Sequence, residues 1–324
     1  MYFKQSVISP IFLCYIIIFS PLNISISQAN VSVSSFAASW LVNNYNSTTQ
    51  LCPNTWPGKI YWICSDNLLA YYALKNYNPT ISNAIKSKLM WYASVYNLPI
   101  DSNGLPISYK HEPIIGDILP TSFNNTIVFT LSNSSGIIVE DEINNGSETM
   151  GNWMNYADLL AYKGMSYLNQ NNSVSATFLY DYMLAMWDGY GFADTVFKSP
   201  NNTNKEYATY KLALFIILRE RLGLKPNPIE NTIIKIIKLC QDGQGGIITG
   251  YTKELKTIGV PNTETTSLVV IANVEMSSGS ENVGALLLQI GIAICIIIAI
   301  VVITKIVIIQ IRRRLDRTTN RKIF

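Results

Sequence analysis

SDNLLAYYALKNY (65–77) and NYADLLAYKGMSYL (155–168) both carry the tetrapeptide Leu-Leu-Ala-Tyr, and each has an acidic residue, Asp66 or Asp158, just ahead of it. Apolar residues then recur at helical spacing, so each copy reads as the opening of a helix. The first continues through Asn78-Pro79, with proline placed for a first helical turn, into TISNAIKSKLMWYASVYNLPI, and stops at Asp101-Ser-Asn-Gly104. The second continues into SVSATFLYDYMLAMW and stops at Asp188-Gly-Tyr-Gly191. A third unit, EYATYKLALFIILRERLG, the break KPNPIEN and TIIKIIKLCQ, stops at Asp242-Gly-Gln-Gly245, and TETTSLVVIAN at 263–273 opens a fourth. Helix pairs that each end in an Asp-x-x-Gly turn form a repeat, and no single pair can bury its apolar face alone. The expected fold is mainly α, an array of helix hairpins.

The turns lie 87 and 54 residues apart, which places an insert of roughly 33 residues within 105–150. There TIVFTL (126–131) and GIIVE (136–140), separated by SNSS, predict a β-hairpin on the rim, with the remainder as loop.

Gln241-Asp242-Gly243-Gln244-Gly245-Gly246-Ile247 followed by Glu264-Thr265-Thr266-Ser267-Leu268 resembles the α/α-toroid repeats of the prenyltransferase and triterpene-cyclase group, over roughly residues 60–100 and 150–275. That resemblance implies a partial toroid, open because seven or eight helices stand where a full ring has twelve. The family's catalytic residues are missing. Ile247 stands near the place of the cyclases' Trp, no Asp-x-Asp-Asp acid occurs, and the prenyltransferases' zinc ligands cannot be assembled with His111 as the sole histidine. No cofactor and no metal are expected.

The two ends fix where such a domain would live. Lys4, the apolar run IFLCYIIIF (11–19) and Ser27-Gln28-Ala29 follow the order of a secretory signal over 1–29, with an uncleaved anchor as the alternative. VGALLLQIGIAICIIIAIVVIT (283–304) carries no charge and is long enough for one transmembrane helix, extended to 309 by an apolar stretch behind Lys305. The tail 310–324, with IRRRLDRTTNRKIF at 311–324, is basic and should stay in the cytoplasm, which leaves 30–282 outside in a single-pass arrangement. The partner is then the lipid bilayer, and Gly291, Cys295 and Ala299 form a small-residue stripe on which two spans could form a homodimer. Sequons at Asn30, Asn46, Asn124, Asn133, Asn145, Asn171 and Asn201 all fall in the external part.

Of 24 basic and 21 acidic residues, eight basic ones and Asp316 lie outside 30–284, so that segment holds 16 basic against 20 acidic residues. A mildly acidic segment without a basic cluster argues against nucleic-acid binding. Cys52 and Cys64 bracket a short loop and are the expected disulfide, with Cys240 as a buried thiol.

For chemistry, Asp66, Asp158, Glu206 and Glu264 stand at the first turns of the opening helices, where two of them could act as acid and base on a glycosidic bond. Trp153, Tyr156, Trp187, Tyr190 and Tyr207 could stack on sugar rings. The competing reading is structural: acids favour helix first turns through the macrodipole, and aromatics at helical spacing fill cores. His111 reads as a solvated loop residue, and the repeated Asp of the turns as an Asx-turn acceptor. The preferred expectation is a non-catalytic surface glycoprotein, cellular or from a viral envelope, that presents a face to a glycan or protein. The alternative is a tethered carbohydrate hydrolase or lyase. In composition, sparse in charge and rich in Ile, Tyr and Asn, the chain resembles surface proteins of thermoacidophilic archaea and their viruses.

Overall fold

The computed structural model describes residues 24–55, 61–107, 110–119, 123–134, 137–149, 151–195 and 206–272. Most of the proposed signal, the span 283–309, its small-residue stripe and the tail 310–324 lie outside the described residues. Among the described residues no helix is long and apolar enough to cross a membrane.

The fold is mainly helical with two small sheets. Helix α1 (Ile24–Asn44) begins ahead of Ser27-Gln28-Ala29 and runs into the predicted FAASWLVNNY helix. Then come β1 (Tyr61–Ile63), α2 (Cys64–Leu74), α3 (Pro79–Tyr96), the single turn α4 (Glu112–Ile115), β2 (Asn124–Ser134), β3 (Ile137–Thr149) and a 3-10 turn at Trp153–Asn155. Helices α5 (Ala157–Asn169) and α6 (Ser173–Leu184), β4 (Glu206–Ala208), α7 (Thr209–Arg221), α8 (Glu230–Leu239), β5 (Ile248–Thr252) and β6 (Thr257–Pro261) follow. Helix α9 occupies 263–272.

Two kinds of helix alternate. In α2 nine residues are buried, in α5 every residue from Ala157 to Ser166, and in α7 nearly all from Thr209 to Arg219. Helices buried all round form the inside of a fold. Their hairpin partners bury one face only: Ile85, Leu89 and Tyr92 of α3, Leu179 and Met183 of α6, Ile233, Ile236 and Ile237 of α8. The outer helices start with side-chain caps where the sequence offers them. Asn78 Oδ1 accepts from Ile81 N at 3.1 Å ahead of Pro79, and Asn172 Oδ1 from Ser175 N at 3.0 Å.

The Asp turns are hydrogen-bonded as Asx turns. Asp101 Oδ1 accepts from the Asn103 and Leu105 amides, Asp188 Oδ1 from Tyr190 and Gly191, and Asp242 Oδ1 from Gln244 and Gly246. A lone antiparallel bridge closes each, Ile100 with Pro106, Trp187 with Phe192, Gln241 with Ile247. A fourth turn of the same kind follows α1. Asn46 Oδ1 accepts from the Thr48 and Thr49 amides, and Asn46 bridges Leu51. There Asn replaces Asp, and the left-handed residue is Gln50 at φ 58°, four positions on, where Gly104 and Gly245 stand three positions after their Asp. The described chain therefore contains four outer-helix, turn, inner-helix units: α1 to α2, α3 to α5, α6 to α7 and α8 to α9.

The first unit packs on the last. Gln241 Nε2 donates to Val33 O at 3.0 Å, Thr263 N to Asn54 O at 2.9 Å, and Thr55 bridges Asn262. Gly245 sits directly on the Phe36 carbonyl and Gly246 on the Trp40 indole.

The insert differs from expectation. Its hairpin is longer than predicted, and β3 also pairs in parallel with β1, Trp62 opposite Val139, giving the order β1-β3-β2. The second sheet, β4-β5-β6, has no counterpart in the sequence reading. Cys52 and Cys64 do not form the expected disulfide. Each is a separate buried thiol: Cys52 lies against the Leu41 carbonyl, its thiol pushed up to about 12 by burial, and Cys64 begins α2. Asn67 takes over the pinning, with Oδ1 accepting from Cys52 N at 2.7 Å and Nδ2 donating to Cys52 O and Ile63 O, both at 2.9 Å. Cys240 is a buried thiol as expected.

Candidate functional site

Three of the four predicted carboxylates meet. Asp66 of α2, Asp158 of α5 and Glu264 of α9 stand at helix first turns, and Tyr210 and Lys211 supply the same position from α7. Four helix starts therefore converge, and their partial positive charge favours anions there.

The centre of that convergence holds the chain's own insert. Lys110 Nζ lies 3.0 Å from Asp158 Oδ2, which also accepts from Tyr210 at 3.0 Å. Lys211 Nζ is 3.8 Å from Asp158 Oδ1 and pairs more closely with Asp194. His111 Nδ1 is 3.0 Å from Ser65 O and its Nε2 is 3.2 Å from Glu264 Oε1. Both neighbours are acceptors, so both bonds form together only when each ring nitrogen carries a proton. His111 is 2% exposed, and the expectation of a solvated loop residue is corrected: burial against α2, α5 and α9 replaces its water with these partners.

From there the segment runs along the helices to their far ends. Asn169 Nδ2 donates to Pro113 O and Asp117 O, Arg221 donates to Pro113 O at 2.8 Å and Ile114 O at 2.7 Å, and Ser166 Oγ accepts from Leu119 N. Residues 110–119 thus thread between α2, α5 and α7 from first turn to last. A cleft of about 390 Å³ lies at that far end, between Tyr72, Ile114, Ile115, Leu168, Asn169 and Arg221, away from the carboxylates.

Protonation sorts the acids. Burial raises Asp66 well above the usual carboxylate range, and the Glu264 and Glu142 charges push it further. Burial would also raise Glu264, but the hydrogen bond from His111 and the Lys110 charge bring it below its ordinary value. Burial opposes Asp158 likewise, yet Lys110 and Lys211 hold it down at about 2. Asp141 of β3 is fully buried. Burial and the neighbouring Glu112 push it up to about 8, which the Glu142 backbone amide only partly offsets. The Tyr162 hydroxyl lies among Glu264, Asp158 and Asp66 with no hydrogen-bond partner, and burial raises it well above its usual range.

Other predicted residues lie elsewhere. Glu206 is not in a helix first turn: it is exposed on β4 opposite Thr252, because α7 starts only at Thr209. Of the aromatics, Trp187, Tyr190 and Tyr207 surround the Asp188 turn, where Tyr207 donates to Asp188 Oδ2 at 2.9 Å and Trp187 stacks edge-on with Phe192. Trp153 packs on Phe123, and Tyr156 precedes α5. The rings at the carboxylates are Tyr162 and Tyr210 instead. Among the sequons, Asn171 lies in the exposed turn between α5 and α6, and Asn124, Asn133 and Asn145 lie in β2 and β3. Asn30 is within α1, and Asn201 lies outside the described residues.

Sequence reasoning missed Lys110, His111, Asp141 and Lys211. Tyr109-Lys110-His111-Glu112 was the available signal, a charged run followed by Pro-Ile-Ile inside an otherwise polar insert. No protein-family model matches the chain, and no similar curated protein or solved structure is found.

Proposed function

We propose that this chain is a single-pass, membrane-anchored extracellular glycoprotein, a non-catalytic surface protein whose external part is a small α/α toroid of four hairpin units plugged by its own insert. The toroid reading is supported by the alternation of wholly buried and one-faced helices, and by the contacts that return the first unit to the last. The anchor is read from 283–309 and the glycoprotein character from the seven sequons.

One observation carries the non-catalytic reading. The centre, where a toroid enzyme would admit its substrate, holds Lys110 and His111, which occupy Asp158 and Glu264 from within the chain. A substrate would have to displace buried ion pairs first.

The test is turnover of neutral and acidic polysaccharides by the full chain, compared with an Asp66→Asn/Glu264→Gln variant. Equal, background rates are expected for both; turnover that the variant loses would overturn the reading. Protease treatment of intact cells should remove the external part, and glycosidase should lower the apparent mass.

A specific observation favours the alternative, a tethered hydrolase or lyase. Asp66 is shifted upward and Glu264 downward from the ordinary carboxylate range, the divergence that an acid and base pair requires. In that reading the insert must leave before catalysis.

A further inference from the structure

We propose that His111 is a proton-operated latch for the plug, the segment 110–119 threaded among α2, α5 and α7. With a proton on each ring nitrogen it fastens the near end, residues 110–112, at the helix first turns; with one proton fewer that end opens while the far end stays docked. The latch builds on the plugged reading of the preceding section and adds what holds the plug in. Both ring contacts demand a proton. Nδ1 lies 3.0 Å from Ser65 O and Nε2 3.2 Å from Glu264 Oε1. A carbonyl oxygen has no hydrogen to give, so Nδ1 must donate; the contact between Nε2 and the carboxyl then needs a proton of its own, on either atom. Without it, whichever tautomer the neutral ring takes, one nitrogen turns a lone pair on an oxygen. Ser65 is 1% and His111 2% exposed, so water is poorly placed to take over the lost bond.

The surrounding charges favour that extra proton. Asp66 of α2, Asp158 and Tyr162 of α5, Tyr210 and Lys211 of α7, Glu264 of α9, Asp141 and Glu142 of β3, and Lys110 and Glu112 of the plug itself make up the titratable and charged surroundings of the ring. Their carboxyls outnumber Lys110 and Lys211, and Lys211 is shared with Asp194. An imidazolium therefore supplies positive charge that these carboxyls otherwise lack.

The two ends of the plug answer to pH differently. At the far end the Asn169 amide and the Arg221 guanidinium hold the carbonyls of Pro113, Ile114 and Asp117, and the Ser166 hydroxyl holds the Leu119 amide. Amide, guanidinium and hydroxyl groups keep their protonation between about pH 5 and 8, the interval in which histidine ordinarily changes its own. The far end is thus a fixed mooring, and the proton acts on the near end alone.

His111 is the chain's only histidine, so the full chain carrying isotope-labelled histidine presents a single ring to magnetic resonance. Its titration is followed from about pH 5 to 8 beside amide hydrogen exchange along 110–119, corrected for the direct effect of pH on exchange chemistry. Exchange at 110–112 should rise several-fold over the same interval in which the ring loses its proton, with the Leu119 amide unchanged. Glu264→Gln should abolish that rise, because a glutamine amide can donate to the neutral ring while Nδ1 still donates to Ser65 O. His111→Gln, which has no ring to titrate, should exchange at one rate throughout. A ring that keeps both protons across the interval, an exchange step away from the ring's titration, or Glu264→Gln opening together with the unmodified chain would overturn the proposal. Polysaccharide turnover is read separately: turnover lost with the Asp66→Asn/Glu264→Gln variant sinks the non-catalytic reading and leaves the latch, whereas a failed exchange step sinks the latch and leaves that reading.

Discussion

Lys110 shows how much rests on one side chain. It is the nearest cation to Asp158, and Lys110→Met would leave that buried carboxylate to Lys211 and Tyr210 alone. Removing one partner of a buried pair costs about 3–5 kcal/mol, so urea unfolding should detect a loss of that order, and Asp158→Asn on top of it should recover part. Asp141 governs the opposite end of the pH scale. Its carboxyl titrates near 8 in the fold against an ordinary value of 3.8, so between those limits the native state holds a proton that the unfolded chain has released. Stability from this group is full below about pH 4 and is lost as the pH rises through 8; Asp66, also raised, acts in the same direction. Asp158, held at about 2, contributes stability that disappears only as the pH falls from about 4 to 2. Melting temperatures should therefore peak in mildly acid solution and fall toward pH 8, and Asp141→Asn should flatten the alkaline limb.

At the scale of the element, the inner helix of one unit and the outer helix of the next are tied by more than apolar packing. Arg219 of α7 is 2% exposed and grips Glu230 at the start of α8 with two hydrogen bonds, Nε to Oε1 at 2.8 Å and Nη2 to Oε2 at 2.7 Å. A lysine cannot reproduce that fork, so Arg219→Lys should cost about 2–3 kcal/mol by chemical denaturation despite the retained charge. The helices were legible in the sequence because periodicity and Asp-x-x-Gly punctuation act locally. What escaped depended on distant partners. Glu206 was read into a helix because its neighbours are helical in type, yet pairing with β5 draws residues 206–208 into a strand. Cys52 and Cys64 looked paired by spacing, but Asn67 and the Leu41 carbonyl claim the space around Cys52. The first hairpin unit was overlooked because its turn has Asn46 in place of the Asp and contains no glycine. Three members of the carboxylate cluster were foreseen from helix first turns, whereas nothing local marks Lys110 and His111 as interior.

For the described fold as a whole, the joint between first and last units is closely packed at its glycines. Gly245 has φ of 102° and its hydrogens face the Phe36 carbonyl, so Gly245→Ala meets both backbone strain and a steric clash. It should destabilise by about 2–4 kcal/mol, and hydrogen exchange should show α1 opening ahead of α5. The same joint sets a schedule for synthesis. Thr263 bonds to Pro53 across 210 positions of chain, so the amino-terminal helix emerges from the ribosome long before the residues that cover it exist. A nascent chain of this protein carries that helix uncovered through most of its synthesis, and only release of the last hairpin lets the polypeptide close.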